Sequence, residues 1–155
     1  MKPSAVLLID LENFCASRRD HFSREGRAVD DQPRRKDDLR TLVAFVERAT
    51  KLPLAVRRAY ANYLSLADVT PRDVMEAGIE PVQTFCLSDA TGKNASDMKM
   101  ALDAVVLAAE GDGFEHFVLV TGDGDFLPVV LELKRRGRDV SAVGVTGSSN
   151  MALRK

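Results

Sequence analysis

The stretch "HFVLVTGDGDFLPVVLELKRRGRDVSAVGV", His116–Val145, decides the fold. It opens with a run of apolar β-formers, turns through two aspartates separated by one glycine, and continues with helical spacing over 126–136. Gly137 is placed to end that helix as a C-cap, and a second apolar run follows at 139–145. Strand, helix and strand in so short a span make a crossover unit, which requires parallel strands.

The same alternation extends outward. "AVLLID" (5–10) and "LAVRRAY" (54–60) read as further buried strands. "IEPVQTF" (79–85) reads as a weaker one, restricted by Pro81 to an edge or a strand start. Between them, residues 37–49 place Leu39, Leu42, Val43 and Val46 at helical spacing. Residues 96–109 place Met98, Leu102, Val105, Val106 and Ala109 on one face. The pattern predicts a three-layer α/β/α, Rossmann-like domain with a mostly parallel central sheet. Residues 20–36 are polar and aperiodic and read as a loop near the mouth of the site. A last helix is expected to begin at Ser148 or Ser149. The chain stops soon after, as one domain cut from a longer protein would, with residues 1–155 forming a single domain.

Composition narrows the function classes. With 155 residues, 45% hydrophobic and 29% charged, the chain is long enough for one full core. No run approaches the ~20 apolar residues of a membrane span. The apolar N-terminus meets Asp10 and Glu12 too early for a signal peptide. Cys15 and Cys86 match no zinc or CxxC spacing, so a reduced, cytoplasmic setting is expected. Net charge is −1, so no overall basicity points to nucleic acid. The basic residues are nevertheless clustered, at Arg18–Arg19, Arg34–Arg35–Lys36, Arg57–Arg58 and Lys134–Arg135–Arg136. Such runs are ordinarily solvated faces, and become a phosphate footprint only if several converge.

Ligands of open parallel sheets bind at the carboxyl ends of the strands. The first strand ends in Asp10, followed by Glu12 and Asn13; the later one ends in Thr121, Asp123 and Asp125. If both strands are central, Asp10 and Asp123 share a crevice, and neighbouring carboxylates take up a proton or a cation. Mg²⁺ typically takes one or two carboxylates plus waters. The plain alternatives are that Asp125 caps the following helix and Asn13 the first one. Gly122 and Gly124 leave room for a sharp turn and a close approach to a ligand. Asp97 opens the helix "SDMKMALDAV" at the edge of its apolar face, with Ser96 or Asn94 as cap. Asp103, six residues on, lies about 120° around the helix and cannot point at the same ion. "TGKN" lacks the glycine a P-loop needs at the position of Leu87. His21 and His116 are isolated, His116 as a surface or edge residue before a strand, and no nucleophile–histidine pairing stands out.

"LLIDLENF", "GKNASDMKMALDAV" and "VLVTGDGDFLPVVLELKRRGRDV", in that order, resemble the NYN domain family of PIN-like metal-dependent ribonucleases. The resemblance implies a PIN-like sheet with acids gathered around Mg²⁺ or Mn²⁺. The matching positions are Asp10 and Asn13, Asp97 with Asp103, and Asp123 with Asp125, with Thr121 where the family often has serine. Asp10, Asp97 and Asp123 would hold the metal, with Asp125 acting through water and Asn13 bonding a ligand or the phosphate. Thr121 and Asp103 would support them. Arg18, Arg19, Arg57, Arg58 and Lys93 are the candidates to hold flanking phosphates. The implied partner is RNA, single-stranded, with a homodimer or a further RNA-binding domain as additional expectations. Two other readings stand beside this one. A catalytically silent RNA-binding module would keep the same acids. A haloacid-dehalogenase-type phosphatase would use an aspartate two residues after Asp10, where this chain has Glu12, and would need a lysine partner that is not evident.

Overall fold

The computed structural model describes residues 2–24, 26, 35–85, 95–110, 113–145 and 151–154. Five parallel strands form the centre: β1 (Ser4–Asp10), β2 (Leu54–Ala61), β3 (Glu80–Gln83), β4 (Phe114–Val120) and β5 (Asp139–Val145). A sixth, β6 (Met151–Arg154), adds antiparallel to β5, giving the order β3-β2-β1-β4-β5-β6. β1 is central and buried along its whole length, as expected of a continuous apolar run in a parallel sheet. β3, with Pro81, takes the edge, where a missing N–H costs least.

Strand alternation divides the core in two. Ala5, Leu7 and Ile9 of β1 face one layer, packed with Leu39, Leu42 and Val46 of α2 (Arg35–Thr50). That layer also includes α1 (Leu11–Arg24), through Leu11, Phe14 and Cys15, and α3 (Pro71–Glu76), through Val74. Val6 and Leu8 face the other layer, packed with Met100, Ala104 and Leu107 of α4 (Ala95–Glu110) and Leu133 of α5 (Leu127–Arg135). Asp10 continues the second series and therefore emerges on the α4–α5 side.

Two helix ends are closed by left-handed glycines, as the sequence predicts for Gly137. Gly137 has φ 74°, its N–H bonds Lys134 O at 2.9 Å, and the next N–H bonds Leu133 O at 3.1 Å. Gly78 repeats the arrangement after α3, with φ 77°. A Cβ at Gly137 would meet nothing within 4 Å. Gly137→Ala is therefore expected to cost only the left-handed backbone penalty, about 1 kcal/mol. The check is a lowered urea midpoint with an unchanged slope.

Three expectations are corrected. The stretch 20–36 is not wholly loop: α1 continues to Arg24 and α2 begins at Arg35, while 27–34 fall outside the described residues. A helix nucleated on buried Leu11, Phe14 and Cys15 propagates into polar sequence because each added residue gains a hydrogen bond. The buried face of α4 is Ser96, Met100, Ala104, Leu107 and Ala108, and Met98, Leu102 and Val106 are exposed. This helix is apolar around most of its circumference, so spacing alone could not choose the face; the stripe with two alanines lets it seat close to the sheet. The last described element is the strand β6, not a helix; the proposed start at Ser148 or Ser149 falls outside the described residues. Among the described residues no helix is long and apolar enough to cross a membrane.

Candidate active site

The sheet order reverses direction between β1 and β4. From β1 the chain runs outward to β2 and β3, and from β4 outward to β5, so the carboxyl ends of β1 and β4 flank a switch point, where open sheets bind ligands. Ile9 is level with Val120, so Asp10 and Thr121 leave the sheet side by side. Asp10 is 5% exposed. Its Oδ1 accepts the Asn13 N–H at 3.1 Å, and its Oδ2 accepts a long bond from the Thr121 hydroxyl at 3.4 Å. The Asn13 side chain crosses to β4, where its Oδ1 accepts the Gly122 N–H at 2.8 Å. A Cβ at Gly122 would stand 3.1 Å from that oxygen, so this close approach belongs to Asn13. Gly124 has open space around it and no left-handed φ. Asn13→Ala is expected to cost about 1 kcal/mol, the ordinary worth of one hydrogen bond, by thermal melting.

Past Gly122 the acids organise their own turn. Thr121 Oγ1 accepts the Asp123 N–H at 3.1 Å, and Asp123 Oδ1 accepts the Asp125 N–H at 2.9 Å. The cap of the 3-10 turn Gly124–Phe126 is thus Asp123, not Asp125. Asp125 is exposed.

The fourth acid comes from α4. Asp97 lies in its first turn, and the Asp10 and Asp97 carboxyls are hydrogen-bonded to one another. Burial pushes Asp10 up to about 6; the Asn13 amide works against this, and the Asp97 and Glu12 charges add to it. Burial also raises Asp97, which makes its hydrogen bond with Asp10 and feels the charges of Asp123, Glu12 and Asp125. Five carboxyls therefore share one neighbourhood at the switch point, two of them in contact. Carboxyls in contact are not both ionised unless a cation replaces the shared proton.

Among the described residues no three His, Cys, Asp or Glu side chains stand together as a ready metal cluster. The donor chemistry fits Mg²⁺ or Mn²⁺ all the same. The Asp10–Asp97 pair is made only of hard oxygens, and Mg²⁺ keeps several waters beside one or two carboxylates. Asp123 is within electrostatic range of this pair but has one oxygen committed to the turn.

The remaining candidates divide. Asp103 is turned toward β2, accepting from Tyr60 OH at 2.8 Å, Lys99 Nζ at 2.6 Å and Arg58 Nη1 at 3.4 Å. It ties α4 to the sheet and stands apart from the Asp10–Asp97 contact. Tyr60, fully buried and level with Asp10, was missed by sequence reasoning; its place on the α4 side of β2 was the available signal. Glu12 was likewise left out of the site, although its charge reaches both Asp10 and Asp97.

The arginine pairs do not act as pairs. Arg18 is buried and forks onto Asp38, with Nη2–Oδ1 at 2.7 Å and Nε–Oδ2 at 3.3 Å, which corrects its assignment as an RNA contact. Arg19 is more than half exposed, with Asp68 3.6 Å away. Strand alternation sends Arg57 to Glu47 of α2, at 2.7 Å, and Arg58 to the other face, where it pairs with Glu80 of β3 at 2.8 Å and reaches Asp103 of α4 at 3.4 Å. Of these two, only Arg58 shares the face of the acids; Arg57 is half-buried on the opposite face. Lys93 lies outside the described residues. His116 is inside β4, bonded to Ser141 Oγ at 2.8 Å. A cavity of about 550 Å³ beside it, at the opposite ends of the strands, holds Lys134 and Arg138 and no acidic cluster.

The NYN domain model matches residues 4–155. The chain belongs to the NYN domain family. Membership gives it a PIN-like nuclease fold, in a family that is generally nuclease-like, suggests RNA as substrate and generally uses divalent metals. A crystal structure of a protein of unknown function from Vibrio parahaemolyticus is similar in fold. Its TM-score is 0.66 at 21% identity, covering 93% of this chain and 82% of that one. No curated protein matches the sequence.

Proposed function

We propose that this NYN domain is a metal-dependent ribonuclease, a hydrolase of RNA phosphodiester bonds that acts at the Asp10–Asp97 pair. The observation that carries the reading is a buried strand-end carboxyl in contact with a second carboxyl, with three further acids around them, at the switch point of the sheet. Asp10 caps α1 through the Asn13 N–H, but that cap needs only one of its oxygens and does not explain a second carboxyl beside it, an arrangement unfavourable without a cation. Asp10, Asp97 and Asp123 would hold Mg²⁺ or Mn²⁺, which supplies charge to the phosphate oxygens and acidifies a bound water.

The chain's own residues then have separable tasks. The Asn13 N–H and the Thr121 hydroxyl fix the two oxygens of Asp10, and such support orients a ligand carboxylate. The Asn13 side chain locks Gly122 and so sets the turn that carries Asp123 and Asp125. Asp125, open to solvent, accepts a proton from the attacking water. Arg58 and Arg19 attract flanking phosphates, with an affinity that falls as salt rises.

The test is turnover of a labelled single-stranded RNA in Mg²⁺ or Mn²⁺ and in EDTA. Cleavage abolished by EDTA and restored by excess Mn²⁺ is the expected result. RNA bound but left intact in both metals would replace this reading with the silent RNA-binding module, which the lack of a ready three-acid cluster among the described residues favours.

A further inference from the structure

Beside the carboxyl pair lies a cleft of about 230 Å³ between the first turns of α4 and the start of α5. Met98, Ala101, Phe126 and Val129 line it, and Asp97 and Asp125 form its remaining walls. It is thus continuous with the proposed cleavage site, two of whose acids it shares. We infer that this cleft is a subsite for one unpaired nucleobase, that of the nucleotide next to the cleaved phosphate. The inference rests on the nuclease reading above and deepens it by placing one base of the substrate beside the cleaved phosphate.

Of the three parts of a nucleotide, only the base suits these walls. A phosphate is repelled by Asp97 and Asp125. A ribose would leave its hydroxyls against the apolar walls. A base offers an apolar face to Ala101, Phe126 and Val129 and, being uncharged, is not repelled by the carboxylates. The volume is below the roughly 300–1,000 Å³ of pockets for drug-sized ligands, which matches a single ring system. Ala101 makes the space, since any larger side chain there would occupy it. Met98, 62% exposed at the edge, brings a polarisable thioether that packs well on aromatic rings. A base can enter only if it is unpaired and unstacked from its neighbours, so the cleft selects single strands.

The experiment measures binding of a labelled octaribonucleotide by fluorescence anisotropy, with Ca²⁺ in place of Mg²⁺. A set of otherwise identical oligonucleotides carries one abasic ribose at each position in turn. One abasic position is expected to weaken wild-type binding about tenfold, the scale of losing one stacked base. Ala101→Phe, which fills the cleft, is expected to weaken binding of the intact RNA equally and to lose the abasic effect. Met98→Ala, at an exposed position that spares the fold, is expected to reduce the abasic effect in the same direction. Equal binding of all oligonucleotides by the wild type, or an abasic effect left whole in both variants, overturns the inference. So does a change of oligomeric state in Ala101→Phe with RNA binding unchanged, which would assign the cleft to a second copy of the chain. Cleavage of the same set in Mg²⁺ separates the two readings. Base-dependent binding without cleavage removes the nuclease and keeps the cleft. Equal cleavage of all abasic substrates removes the cleft and keeps the nuclease.

Discussion

Asp10→Asn is expected to lower RNA cleavage about a thousandfold and, in metal-free buffer at pH 7.5, to make the protein more stable. The two effects have one origin. Asp10 is buried and meets a second carboxyl, so at neutral pH the metal-free fold carries a charge that burial and Asp97 both oppose. Its carboxyl is raised to about 6 from an ordinary value of 3.8. The folded protein therefore holds more protons than the unfolded chain between those values. The stability that Asp10 contributes is fully present below about pH 4, is lost as pH rises through 6, and stays lost above it. An asparagine keeps the shape and removes the charge. Its Oδ1 still accepts the Asn13 N–H, and its amide NH₂, in the place of Oδ2, gives up the long bond from the Thr121 hydroxyl and donates to Asp97, where the carboxyl needed a shared proton. The gain is at most about 3 kcal/mol, since one pKa unit corresponds to about 1.4 kcal/mol. For a chain of this size the melting temperature should rise on the order of 5 °C. The decline from pH 4 to 6 should shrink with it.

The loss of activity follows from what the charge is for. A cation replaces the proton only while both carboxylates remain, and its charge supplies several kcal/mol of transition-state stabilisation, hence the thousandfold. Mg²⁺ or Mn²⁺ should accordingly raise the wild-type melting temperature and leave that of Asp10→Asn unchanged. Melting curves at pH 4 to 8, with EDTA and with Mn²⁺, are the measurement. A variant that is less stable than the wild type in EDTA, or that cleaves as fast, would show that Asp10 has an ordinary packing role.

Asp10 was legible because it is out of place: an acid that ends a run of apolar strand residues has no solvent face to explain it. The parallel sheet was legible for a related reason, since strands buried on both sides are apolar throughout. The buried face of α4 was hidden because Met98 and Leu102 satisfy helical spacing as well as Met100 and Ala104 do. Only the sheet underneath distinguishes them. β6 was hidden because four residues, "MALR", carry no period, and their pairing depends on the open edge of β5. How the arginine pairs divide was hidden in two ways. Arg57 and Arg58 sit in a strand, and alternation alone forbids neighbours from sharing a face. Arg18 and Asp38 are 20 residues apart, and nothing in either neighbourhood announces that the two helices bring them together.

That buried pair carries the second large effect. Asp38→Ala is expected to destabilise the domain by about 3–5 kcal/mol, the usual cost of removing one partner from a buried ion pair. Arg18 and Asp38 are 9% and 7% exposed, and the fork between them joins α1 to α2 on the layer opposite the acids. Without Asp38 a guanidinium remains in a place where it cannot be deprotonated and is poorly hydrated. The melting temperature should fall on the order of 10 °C. Glu76, by contrast, is exposed and pairs with Lys36 at 3.4 Å, so losing that solvent-screened contact should move the melting temperature far less. Replacing both partners together, Arg18→Met with Asp38→Leu, should cost less than Asp38→Ala alone, since no guanidinium is then left without that carboxylate. The same variants decide the functional status of Arg18. A phosphate-binding arginine contributes about one unit to the slope of log affinity against log salt, and its removal reduces that slope. Arg18→Met with Asp38→Leu should leave the slope of RNA binding intact, and Arg58→Met should reduce it. Arg58 keeps the acids' side of the sheet, and Arg18 was given up to the core.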